Sequence, residues 1–153
     1  MTDRTEAPET TLRKATRADA AAAHVLLHEL GYEKLDAPSF RAAFEAVLAD
    51  PLQTVWLAER DGQVLGLMSL SRRPQLRLGG LIVTVDEMVV AERARGSGVG
   101  ARLLQLAKME ATRAGARRLE LLTGRGRPSY ERGFYVKNGF VEIDSAVMRW
   151  PGM

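Results

Sequence analysis

Apolar positions alternate between two spacings along the chain, and the spacing predicts the element. Leu12 to Ala15 reads as a first short strand. Asp19 offers an N-cap to an Ala-rich helix that runs through Leu30 and closes at Gly31 in the C′ position. Pro38-Ser39 opens a second helix, with Phe40, Phe44, Val47 and Leu48 on one stripe and an end near Asp50-Pro51. The period then changes to two. Thr54 to Ala58 is a strand, Asp61-Gly62 a hairpin turn signal, and Val64 to Ser71 the returning partner. Leu81 to Val90 is a third, long strand rich in β-branched residues.

The segment Arg95-Gly96-Ser97-Gly98-Val99-Gly100 follows that strand. From it runs an amphipathic helix with Val99, Leu103, Leu106 and Ala107 on one face, ended by Gly115. Arg118 to Leu122 is a short buried strand and Thr123 to Pro128 a Gly/Arg/Pro loop. Ser129 to Asn138 is a last short helix weakened by Gly133, and Phe140 to Trp150 supplies one or two closing strands. Neither an internal repeat nor an interdomain linker interrupts the pattern. It predicts a single α/β domain with a mixed sheet over 11–153, behind a flexible tail of residues 1–10.

Length and composition narrow the classes. A chain of 153 residues buries about 70% of its unfolded surface, enough for a core without covalent staples. There is no cysteine, which excludes disulfides, zinc–thiolate sites and cysteine nucleophiles. His24 and His28 stand at i, i+4 but outside any Glu-x-x-His context, so no metal site is expected. The start, MTDRTEAPETTL, lacks the basic and apolar regions of a signal peptide, and no apolar run reaches about 18 residues. A cytoplasmic protein with no membrane partner is the expectation.

Lys and Arg number 22 against 19 acidic residues, a net charge of +3. The excess lies in arginine groups: Arg72, Arg73 and Arg77; Arg93 and Arg95; Arg125, Arg127 and Arg132. No aromatic residues are interleaved with them, so no nucleic-acid partner is expected. Solvated faces and attraction of an anionic cofactor account for them.

The glycine segment has a specific physical use. Glycines between a strand and a helix let backbone N–H groups converge on an anion, and the helix N-terminus adds partial positive charge. The Walker pattern fails, because no Gly-Lys-Ser/Thr follows. Gly96 to Ala101 also fits the looser dinucleotide fingerprint, with Glu120 placed 22 residues past Gly98. That fingerprint belongs directly at the end of a strand, however. Here Ala91 to Arg95 intervene after Val90, and Glu120 falls inside an apolar strand.

The stretch from Val89-Val90 through Ala91-Glu92-Arg93-Ala94, the glycine segment and Arg102-Leu103-Leu104 resembles the acetyl-CoA motif of the GNAT superfamily of N-acetyltransferases, R/Q-x-x-G-x-G/A. Tyr135-Val136-Lys137-Asn138-Gly139-Phe140 resembles that family's second signature, Y-x-x-x-G-F. With the flanking strands, the resemblance covers about 140 residues. It implies a GNAT-like mixed, mostly antiparallel sheet flanked by about four helices. Only 13 residues follow Phe140, so the closing strands are abbreviated relative to the family.

The resemblance implies an acetyl-CoA-dependent N-acetyltransferase acting on a primary amine of a small molecule or protein by direct transfer. In that reading amides from Arg95, Gly96, Ser97, Gly98, Val99, Gly100 and Ala101 hold the pyrophosphate. The backbone of Met88 and Val90 pairs with the pantetheine arm, and Met88 or Val89 N–H polarises the acetyl carbonyl. Tyr135 is the implied general acid. Asp86 and Glu87 are the candidate bases, since carboxylates in an apolar strand are costly unless used or paired. On a regular strand they point to opposite faces, so at most one faces the acceptor, and a bulge would reverse the choice between them. The resemblance favours Glu87. A CoA-binding sensor on the same fold is the alternative. A homodimer is compatible with the family, with no interface assigned by the sequence.

Overall fold

The computed structural model describes residues 9–152. Residues 1–8 of the expected tail therefore lie outside the described residues, while Thr10 is buried and held from two sides. The Arg60 guanidinium donates to Thr10 Oγ1 at 2.7 and 3.0 Å, and Arg102 donates to the Thr10 carbonyl.

The chain is a single α/β domain whose residues group into two compact units, 1–122 and 123–153. The first carries the whole sheet, in the order β1-β2-β3-β4-β5. The strands are β1 (Thr11–Lys14), β2 (Gln53–Arg60), β3 (Gln63–Gln75), β4 (Gly80–Val90) and β5 (Arg118–Leu121). Neighbours pair antiparallel except β4 and β5, which are parallel. Asp61 and Gly62 both take positive φ, 52° and 72°, in the tight turn that the Asp-Gly pair signals.

Three helices pack on this sheet: α1 (Ala20–Glu29), α2 (Ala37–Ala49) and α3 (Val99–Arg113). Asp36 rather than a later residue caps α2, accepting from Ser39 N at 2.8 Å, with Pro38 in the first turn. Two apolar clusters follow from strand alternation. Val55, Leu57, Leu65, Leu67 and Val89 meet α1 and α2. Met68, Leu70, Val83 and Val85 meet Val99, Leu103, Ala107 and Ala111 of α3. Gly66 is the close approach, for a Cβ there would stand 3.0 Å from Val99 Cγ1 and 3.3 Å from the Val89 carbonyl.

Two expectations change. The helix expected over Ser129 to Asn138 is two short turns, α4 (Pro128–Glu131) and α5 (Phe134–Lys137), because Gly133 between them adopts φ 70°. This makes five helices where about four were expected. Phe140 to Trp150 forms no strand among the described residues. Its apolar alternation is present, with Val141 and Ile143 exposed, but a strand exists only where a ladder partner accepts it. Glu142 instead accepts from Arg125 at 2.7 Å and from Tyr130 Oη at 2.6 Å.

Asp19, expected as a plain cap, is the centre of an ion-pair network. Arg13 grips its carboxylate with both terminal nitrogens at 2.8 and 2.9 Å and reaches Glu59 through Nε at 2.8 Å. Hydrogen bonds from Arg13 chiefly, and from Thr16, hold the Asp19 carboxyl down at about 2. A carboxyl with a depressed folded pKa stabilises the fold above its unfolded value of 3.8 and loses that contribution as pH falls toward about 2. The Arg13 side chain is 37% exposed, so solvent screening reduces the effect to about 1 kcal/mol. Asp19→Asn is expected to lose about that much in urea unfolding at pH 7 and to converge with the parent near pH 2. Equal stabilities at pH 7 would refute the assignment.

Candidate active site

The site is built on one irregularity in β4. Ser69 of β3 pairs with Glu87, but Leu70 pairs with Val85, leaving Asp86 as an extra residue without a partner in the register. An extra residue in one strand reverses the alternation beyond it. Val83 and Val85 face α3 before the bulge, whereas Met88 takes that face after it and Val89 joins the α1–α2 core. Without the bulge Glu87 would share the parity of Val85 and enter the apolar α3 core. With it, Glu87 stands opposite Ser69 on the α1–α2 face.

Asp86 comes to the same face. Its ionised form is favoured by the Ser71 hydroxyl, two residues along β3 from Ser69, and by the charge of Arg73. The opposite-face geometry of a regular strand therefore does not apply. Ser69 is buried and doubly tied to Glu87: Glu87 N donates to Ser69 Oγ at 3.0 Å, and Ser69 Oγ donates to Glu87 Oε2. Glu87 Oε1 has no such tie to Ser69. Partial desolvation pushes the Asp86 carboxyl above the ordinary range, opposed by Ser71 and Arg73, although the residue as a whole remains exposed. Sequence reasoning missed both serines, because neither stands out until the register is known.

The second feature is an open strand edge. β5 pairs with β4 only from Ile82 to Val85, so from Asp86 to Val90 that edge of β4 has no strand partner among the described residues. The edge leads through a 3-10 turn at Glu92–Ala94 into the glycine segment. The Glu29 carboxylate at the end of α1 accepts from Glu92 N at 2.8 Å. Gly96 and Gly98 have φ of 75° and 83°, values that suit glycine, and a Cβ at either would meet nothing within 4 Å. Gly98 caps α3 without any side-chain hydrogen bond, so no cap side chain takes up the first-turn amides, which can serve an anion. These residues fit a pyrophosphate. Glu120 sits in the middle of β5, opposite Thr84, which disfavours a ribose-binding role.

Family membership can be read from the comparisons with known proteins. A family model described as an acetyltransferase (GNAT) domain matches residues 51–142. The chain belongs to the GNAT acetyltransferases. Over 133 residues it is 38% identical to the aminoalkylphosphonate N-acetyltransferase of Salmonella typhimurium, covering 87% of this chain and 86% of the relative. The solved transcriptional regulator from Bacillus halodurans C-125 superposes with a TM-score of 0.84 at 24% identity, covering 93% of this chain and all of that one. An aminoglycoside N-acetyltransferase solved with CoA gives 0.84 at 16% identity, covering 97% and 99% of the two chains. These two likenesses bear on the fold alone. The GNAT chain is an acetyl-CoA-dependent N-acetyltransferase.

In the second unit Tyr135 is half-buried on α5. The signature glycine has a physical reason there: Gly139, at φ 85°, lets Phe140 N bond to Tyr135 O at 3.0 Å and Gly139 N to Val136 O at 3.0 Å, a Schellman closure. Tyr130 is committed to Glu142, a bond that raises its hydroxyl pKa.

Other candidates resolve as follows. His24 and His28 place Nε2 atoms 2.6 and 3.1 Å from the Leu35 carbonyl. Among the described residues no group of three or more acidic or imidazole side chains converges for a metal, and no helix is long and apolar enough to cross a membrane.

The causes of the Asp86 shift make a prediction. Ser71→Ala and Arg73→Ala each remove a group that favours the ionised carboxylate, so each raises the Asp86 pKa further. Carboxyl carbon chemical shifts followed against pH check this; a fall in either variant would contradict the geometry.

Proposed function

We propose that this GNAT enzyme acetylates a small amine bearing an anionic group, of the aminoalkylphosphonate kind, on the face of the sheet that holds Glu87. The observation that carries the reading is the open edge of β4 from Asp86 to Val90. It runs past two carboxylates and ends at an uncapped helix start. Acetyl-CoA supplies an activated acyl group with sulfur as leaving atom. The amides from Arg95 to Ala101 take its pyrophosphate, and the backbone of Met88 and Val90 takes the pantetheine arm. The Met88 or Val89 N–H donates to the acyl oxygen as charge develops there.

Glu87 acts as general base. Its carboxylate takes a proton from the acceptor's ammonium group, leaving a neutral amine to form the C–N bond as the C–S bond breaks. Tyr135 gives its hydroxyl proton to the departing sulfur and regains one from the new amide nitrogen. A phenol hydroxyl both donates and accepts, which suits both steps.

Two observations support an anionic acceptor. The 38% identical relative carries an aminoalkylphosphonate activity by name. Arg73 is exposed on the strand that carries Ser69 and Ser71, in the field of Asp86, whereas Arg72 is committed to the Pro51 carbonyl and Arg125 to Glu142. An exposed guanidinium beside the carboxylates matches a molecule with an anion at one end and an ammonium at the other.

An amine screen with thiol detection is expected to rank 2-aminoethylphosphonate above spermidine and kanamycin by about 100-fold in kcat/KM. Arg73→Ala should lower that value about 10- to 100-fold with the acetyl-CoA KM unchanged. A polyamine or aminoglycoside at the top of the ranking would overturn the acceptor assignment. Glu87→Gln and Tyr135→Phe are each expected to lower kcat about 100-fold or more, the Glu87 variant losing the acidic limb of the pH–rate profile and the Tyr135 variant the basic limb. Retention of both limbs in both variants would remove the two roles.

A further inference from the structure

Two serines of β3 make the two carboxylates of β4 unequal. Ser69 is buried and closes a two-bond ring with Glu87, so the Glu87 rotamer is held and one of its oxygens is occupied. The Ser71 hydroxyl favours the ionised form of Asp86, the residue expelled from the ladder, and Asp86 stays exposed. The serines stand about 7 Å apart along the strand. One face therefore presents two exposed carboxylates, one tied by two bonds to Ser69 and one released from the ladder, with Arg73 past the second.

We propose that Asp86 is the ammonium-binding residue of the acceptor site, a role separate from the proton transfer assigned to Glu87. The inference rests on the reading of this face as the acceptor side of the enzyme. An alkylamine has a pKa of about 10, so it arrives at neutral pH as R–NH3+. Its charge needs a carboxylate partner until the proton leaves. A single carboxylate cannot hold that ion pair and also take the proton without losing the attraction that keeps the amine in place. Two adjacent carboxylates divide the task. Asp86 forms the ion pair through its exposed oxygen, and one N–H bond breaks with its proton passing to Glu87 Oε1, the oxygen that Ser69 leaves free. The amine keeps its electron pair for attack, and no co-reactant is consumed.

The assignment is specific to Asp86 because of the bulge. In an unbroken ladder this residue would have a partner opposite and a fixed face. Here it is released from the register and adjacent in sequence to the base, and the Ser71 hydroxyl and the Arg73 charge are the groups that favour its ionised form.

Steady-state kinetics of the full chain test the division, with 2-aminoethylphosphonate as first probe and the best amine of the screen as second. Asp86→Asn is expected to raise the amine KM about 10- to 100-fold, the loss of a charge-assisted contact, while kcat falls less than about threefold and the acetyl-CoA KM is unchanged. Asp86→Glu should restore most of the amine KM, and thermal unfolding of both variants should match the parent. A fall in kcat with an unchanged amine KM would make Asp86 the base and overturn the proposal. So would a parallel rise in both substrates' KM, no change at all, or a failure of Asp86→Glu to restore the KM in a folded variant. Failure of the underlying reading looks different: Glu87→Gln then keeps full kcat, or the parent acetylates no amine in the screen.

Discussion

The β4 strand must carry two consecutive carboxylates through a sheet whose two faces are both covered by helices. Strand geometry alone would send Glu87 into the α3 core, and a carboxylate in an apolar core without partners is unstable by several kcal/mol or is forced neutral. The extra residue at Asp86 removes this conflict. It turns Glu87 away from α3, returns Val89 to the α1–α2 core and puts both carboxylates beside hydroxyls of β3. The packing of α3 on Val83 and Val85, the exposure of Asp86 and the Ser69–Glu87 ring all depend on that one insertion.

The same irregularity bears on the cofactor side. A bulged strand bends, and the parallel pairing with β5 stops at Val85, one residue before the bulge. Beyond it the backbone of β4 keeps its hydrogen bonds to β3 on one side and has its other edge open. An open edge inside a domain is normally covered, because unpaired N–H and C=O groups attract another strand. In the proposed reading the pantetheine arm covers this edge as a strand would, and the glycine turn beyond it offers helix-start amides to the pyrophosphate.

The side chains proposed for the acceptor chemistry are set by partners far away in sequence. Glu87 is held by Ser69, eighteen residues away, and Asp86 is met by Ser71 and Arg73. The Arg13–Asp19–Glu59 network ties β1 and β2 to the turn before α1 in the same manner. Each is a polar group placed where its partner satisfies it, so that the apolar faces on either side stay uninterrupted.

By itself the sequence determined those features whose physical requirement is local. Asp61-Gly62 demands positive φ for a tight turn, the glycines before α3 demand the same for an amide cradle, and Gly139 is needed where α5 closes on Tyr135. Period-two and helical spacing likewise marked five strands and the three long helices close to their observed ends, and the two motifs pointed to the family. Tertiary structure alone decided the rest, because it depends on which residues stand opposite. Whether Phe140 to Trp150 pairs as a strand, whether Gly133 divides a helix, and which face Glu87 takes are questions of register and partner. Apolar alternation gives a strand its two faces, but only the neighbouring strand, by accepting or expelling a single residue such as Asp86, decides which face each side chain receives.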